Sequence, residues 1–177
     1  MIDWGEAGPL ANQEVEGDED LSHFLERKSE ISQGGSTKGQ VKPFALIPFS
    51  GTGLSVTREK DLSAEQVWES GLATIQLKNS NQLKKHKKEY LRKHESASDS
   101  EAEEYAKKEL KPLELRGKAT FKADQISKFM IKATVVEPPR NHVDLVGWPS
   151  EKSRQMEIAR DLFEFVETFV YPLATKD

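Results

Sequence analysis

LSVTREKDLSAEQV, residues 54–67, changes its period midway, and that change decides the fold class. Leu54, Val56 and Arg58 alternate with Ser55, Thr57 and Glu59, the spacing of two that sends side chains to opposite faces of a strand. From Leu62 the spacing becomes helical. Ser63 can accept from the amide of Gln66 while the Gln66 side chain reaches back, and Leu62 can staple to Val67. Val67, Trp68, Leu72 and Ile75 continue the buried side of this helix, with Gly71 a weak point within it.

Upstream, Val41 to Phe49 (VKPFALIPF) is apolar but carries Pro43 and Pro48, which suits an edge or irregular strand. Leu21, Phe24 and Leu25 recur at i, i+3 and i+4 behind Asp18 and Asp20, which predicts a short helix to about Ser32, ended by Gly34-Gly35. Residues 1–17 hold glycine, proline and acids with little periodicity, so they read as a disordered acidic tail.

Downstream, residues 79–111 are foreign in composition to their surroundings. Lys84, Lys85, Lys87, Lys88, Arg92 and Lys93 are followed at once by Glu95, Asp99, Glu101, Glu103 and Glu104. Ser98 with Glu101 can form a capping box, and Glu103 to Lys107 and Glu104 to Lys108 are favourable i,i+4 pairs. A pair of exposed helices, or one arm broken near Ser96-Ala97-Ser98, fits this pattern. Strand character returns in Leu113–Phe121, Phe129–Val136 and Val143–Val146. Then Ser150 can cap a last helix whose stripe runs through Ile158, Ala159, Leu162, Phe163, Val166, Phe169 and Val170.

The expected fold is therefore α+β. A small, mainly antiparallel sheet of four or five strands is packed on one face by two amphipathic helices, over 63–77 and 151–170, with a charged helical insertion at 79–111. Residues 18–177 form the single domain behind the tail.

Composition narrows the functional classes. Across 177 residues, hydrophobic side chains reach only 36% and charged ones 32%, against about 45–50% and about 25% in globular domains, so part of the chain lies outside the core. The absence of cysteine excludes disulfides, thiolate metal sites and cysteine nucleophiles. No apolar run approaches the roughly 20 residues that span a bilayer, and the first thirty residues carry nine acids with no signal-like stretch, which points to the cytoplasm. A net charge of −4 gives no global drive toward nucleic acid or anionic lipid.

Chemistry concentrates in PPRNHVDLVGWP, residues 138–149. Two prolines fix an extended approach, Arg140 and His142 add a cation and an imidazole, and Gly147 allows a tight turn. His142 and Asp144 share a face at period two, a minimal general-base arrangement, yet Ser55 and Ser150 lie in no nucleophile-elbow context. The bland alternative makes His142 a loop tie and Trp148 core filler. His23, His86 and His94 lack ligand spacing, so no metal is implied. Gly51-Thr52-Gly53 lacks the Lys-Ser/Thr ending of a phosphate loop. Phe49 to Leu54 is similar to the Phe-x-Gly-x-Gly peptide by which some cofactors dock an AAA+ segregase, although that peptide is normally disordered and this one lies between expected strands.

Several segments together resemble a family of small bacterial proteins to which no biochemical activity is assigned. The resemblance rests on Leu21–Phe44 (an amphipathic helix followed by a Val-Lys-Pro strand), Leu54–Arg58 (Leu-Ser-Val-x-Arg), Leu62–Trp68, Arg116-Gly117 and above all Pro139–Pro149, which is close to Pro-Arg-His-x-Asp-Ile-Val-Gly-Trp-Pro. It covers most of residues 20–170 and departs at 79–111, where those proteins have a shorter connection. It implies no cofactor and no reaction.

Two function classes follow. The favoured one is a non-catalytic interaction or accessory protein of a prokaryotic multi-gene system, with a protein partner, rather than nucleic acid, engaged through the acidic tail or the charged insertion. The other is a hydrolase or transferase acting on an anionic, nucleotide or phosphate-bearing substrate, with His142 and Asp144 as catalytic candidates and Arg58, Arg116, Arg140 and Trp148 as binding candidates. The enzyme requires His142, Asp144 and at least two of the arginines around one concavity.

Overall fold

A computed structural model describes residues 3–48, 53–137 and 139–171. The Gly-Thr-Gly and Phe-x-Gly-x-Gly patterns at 49–54 fall mostly outside the described residues, as does Pro138.

The first element corrects the expected helix at 20–32: Asp20–Leu25 is a strand, β1. Leu21 and Leu25 join one side of the sheet and Phe24 the other, so both faces of this strand are covered. A strand buried on both faces loses its polar alternation, and the same apolar positions then satisfy a helical template equally well.

β1 sits inside a six-stranded antiparallel sheet with β2 (Leu54–Arg58), β3 (Gly117–Lys122), β4 (Lys132–Val135), β5 (His142–Val146) and β6 (Glu167–Val170), in the order β4-β5-β2-β1-β3-β6. The α+β class and the antiparallel sheet are as the sequence implies. Besides β1, the strand not expected is β6, which replaces the expected last turns of the C-terminal helix. That helix, α4 (Lys152–Phe163), stops where Glu164 hands its amide to the carbonyls of Asp161 and Leu162, and the β-prone ETFV pairs with β3 instead. Glu151, not Ser150, holds the N-cap position, and Gln155 secures the start by donating to the Pro149 carbonyl at 2.7 Å.

The two principal helices lie on opposite faces, not on one. α1 (Ala64–Lys93) places Val67 and Ile75 against Phe24 and Leu115. On the other face, Ile158 and Leu162 of α4 pack with Leu21, Val56, Phe121 and Val143, joined by Ile126 of the short α3 (Ala123–Ser127), while Ala159 meets Leu25 and Ala119. Pro43–Leu46 forms a 3-10 turn in place of the expected strand at 41–49, the N1 proline suiting that turn, and only Val41 bridges to Ile31.

Ser63 caps α1 with the capping box read from the sequence, and Ser98 does the same for α2 (Asp99–Glu109). α1 runs 30 residues without a break, about 45 Å. Its buried residues, Val67, Ser70, Gly71 and Ile75, all lie in its first half, so its second half leaves the sheet as an arm. α2 folds back on it: Ala102 and Ala106 are buried, Tyr105 stacks on Tyr90 with centroids 4.7 Å apart, and Lys87 pairs with Asp99 at 2.6 Å. Asn79 fixes the root of this hairpin by bonding both backbone groups of Leu113.

Residues 3–17 are not free of the fold. Leu10 is buried, the Gly17 carbonyl accepts from Asp124, and Arg58 binds the carbonyls of Leu10, Gln13 and Glu14. The acidic side chains point outward while the backbone supplies acceptors, a role composition cannot reveal.

Candidate functional site

β2 and β5 pair antiparallel, with His142 opposite Thr57 and Asp144 opposite Ser55. This register puts four polar side chains on one face of the sheet. His142 Nε2 lies 3.2 Å from Asp144 Oδ1, and the Ser55 hydroxyl donates to the same oxygen at 3.1 Å. The carboxylate thus stands between the hydroxyl and the imidazole. A nucleophile relay needs the imidazole in the middle, so the connectivity is wrong for a serine triad.

His23, set aside by sequence reasoning, belongs to the same locality. Its Nδ1 lies 2.9 Å from the Ser55 carbonyl, and with His142, Thr74 and Lys78 it lines a notch of about 10 Å³. One water needs about that much, so the notch admits no substrate. Burial pushes the His23 imidazole below its ordinary pKa despite the carbonyl contact. Burial likewise depresses His142, outweighing the opposing pull of Asp144. Among the described residues no group of three or more metal-ligating side chains converges.

The arginines expected to grip an anion do not gather around His142. Arg58 is completely buried and uses all five of its N–H donors: two to the Glu19 carboxylate and three to the backbone carbonyls of Leu10, Gln13 and Glu14. It is a structural clamp and has no donor left for a ligand. Glu19 loses hydration by burial, yet the Arg58 contacts and the amide of Glu16 hold its carboxyl below the usual range.

Arg140 packs its Cγ and Nε against Gly8, whose absent Cβ would lie 2.5 Å from the Cγ, and its buried Nε has no acceptor among the described residues. Its neighbour Asn141, with φ 58°, ties the loop by donating to the Arg58 and Lys60 carbonyls. Asn141 is the structural residue that the sequence reading passed over. Trp148 is partly buried against the core cluster that holds Ile158 and Leu162 of α4, and its indole nitrogen is buried without an acceptor among the described residues.

Arg116 is elsewhere, at the root of the hairpin. There the 3-10 turn Lys28–Glu30, the middle of α1 and the returning segment 111–116 enclose a cleft of about 630 Å³. Arg27, Lys28, Lys85, His86, Lys111 and Arg116 line it, together with two acids. Both acids are engaged, Glu26 with Lys78 and Glu114 with Arg116. Arg27, Lys28, Lys85 and Lys111 have no ion-pair partner among the described residues. The sequence showed Lys85 and Lys111 within a charged run; it gave no sign that Arg27 and Lys28, far away in the chain, would face them.

No family model, no curated protein and no solved structure matches this chain. Among the described residues no helix is long and apolar enough to cross a membrane.

Proposed function

We propose that this protein is a non-catalytic interaction module, an accessory protein of a cytoplasmic prokaryotic system, whose charged hairpin engages a partner protein. The observation that carries the reading is separation: His142, bonded to Asp144, lines a notch with room for about one water, while the candidate arginine Arg116 lines a different cleft, with unpaired lysines at the hairpin root. A hydrolase or transferase would need these groups around one concavity. A binding module needs only a stable platform and a projecting surface, and the sheet and the α1–α2 arm match that requirement.

The test separates arm from sheet. Residues 81–110 are replaced by a Gly-Ser linker, which keeps the Asn79 to Leu113 clamp, and the product is compared with wild type and His142→Ala. The arm variant should melt within a few degrees of wild type, since long surface loops change stability little, and should lose a partner that wild type captures by crosslinking in cells. His142→Ala should lose about 1–3 kcal/mol of stability and keep that partner. A His142→Ala protein that melts like wild type and loses turnover of an anionic metabolite would establish the enzyme instead.

A further inference from the structure

The basic cleft at the hairpin root concentrates cations against the trend of the chain, which carries 30 acids to 26 lysines and arginines. Its positive groups come from three separate stretches: Arg27 and Lys28 follow β1, Lys85 lies on α1, and Lys111 and Arg116 lie on the segment returning to β3. A solvated helix face draws its charges from one element; convergence from three requires the tertiary fold. Like charges gathered in a concavity repel one another, and an anion entering it relieves that repulsion.

Resting on the interaction reading above, we infer that this cleft is the docking site for an extended acidic segment of a partner polypeptide. Three features select that occupant. Arg116 already holds a carboxylate, that of Glu114, so the cleft displays the pairing it would extend. Pro112 and Leu113 contribute apolar wall between the cations, which suits a peptide backbone and side chains. The lining carries no Phe, Tyr or Trp ring on which a base can stack. A peptide places carboxylates at intervals, one face of an extended strand presenting a residue about every 6.6 Å. The volume falls in the range of ligand clefts, about 300–1,000 Å³.

The experiment is fluorescence anisotropy on the full chain with a labelled Glu-rich peptide, competed by its all-Gln counterpart, by inorganic phosphate and by a single-stranded DNA oligonucleotide. Lys28→Glu and Lys111→Glu, both exposed and without side-chain partners among the described residues, should each weaken the peptide by about tenfold, near 1.4 kcal/mol, and more at low salt. Lys84→Glu and Lys88→Glu change the net charge equally but lie outside the cleft, and should leave affinity within about twofold. Equal losses from both pairs, or no peptide binding at low salt, overturn the cleft assignment. Tighter binding of DNA or of phosphate than of peptide overturns the occupant. In each of these cases the interaction reading survives if the arm deletion still loses its partner, and falls with it only if that deletion binds normally.

Discussion

Arg58 and Glu19 meet as a two-point ion pair, Nε to Oε2 at 2.7 Å and Nη2 to Oε1 at 2.6 Å, with both side chains almost wholly removed from water. The pair joins β2 to the residues that precede β1, and its remaining donors hold the backbone of residues 10–14. An arginine that sequence reasoning offers as a ligand anchor is thus the point to which the N-terminal segment is tied.

Removing one partner of such a pair strands the other in the interior. Glu19→Gln and Arg58→Met should each cost about 3–5 kcal/mol, a large share of the ~5–15 kcal/mol typical of a domain. Urea unfolding measures the loss, and limited proteolysis should show cleavage within residues 3–17. Single variants within about 0.5 kcal/mol of wild type would contradict the clamp.

Acid should unfold the protein in two stages. The folded-state pKa values of His23 and His142 lie below the unfolded value near 6.5, so below that pH the unfolded chain binds more protons and stability falls as pH drops toward the folded values. Glu19 is depressed below about 4.3, so its contribution is complete above that pH and is lost as pH falls through its lower folded value. Denaturant unfolding from about pH 8 to pH 3 reads both stages, and the double variant His23→Gln, His142→Gln should flatten the first. A wild-type protein with constant stability between about pH 7 and pH 5 would refute the buried, neutral histidines.

Gly71 sits mid-helix because Phe24 occupies the space of its missing side chain: a Cβ there would lie 2.7 Å from Cε1 and 2.8 Å from Cδ1 of that ring. Gly71→Ala should therefore destabilise by about 1–3 kcal/mol through overpacking, although helix propensity alone favours alanine by up to about 1 kcal/mol. Gln76→Ala, at an exposed position of the same helix, serves as the control and should be neutral within about 0.5 kcal/mol. A stabilised Gly71→Ala would mean that α1 stands further from the sheet.

Leu162 is fully buried beneath the sheet, and Glu164, two residues on, is exposed. Leu162→Ala should cost about 2–5 kcal/mol and Glu164→Ala less than about 0.5 kcal/mol, both read by thermal or urea unfolding. Equal sensitivity at the two positions would remove α4 from the face assigned to it.

The sequence alone determined what depends on neighbours along the chain. The Ser63 and Ser98 capping boxes, the α1 start, the β2 alternation and the His142 to Asp144 proximity are all set within a few residues, because one turn of helix or one step of pleat is a local geometry. Tertiary structure decided what depends on which faces are covered. Leu21, Phe24 and Leu25 form a strand because α1 and α4 shield its two sides, and ETFV leaves the last helix because β3 offers an open edge. Arg58 is a clamp because carbonyls from residues 10–14 reach it, and Arg27 and Lys28 share a cleft with Lys85 and Lys111 because Asn79 pins the returning chain. Local spacing fixes where a side chain can point; burial, charge pairing and the supply of hydrogen-bond acceptors are set by residues far away in the chain, and only the folded molecule brings those residues together.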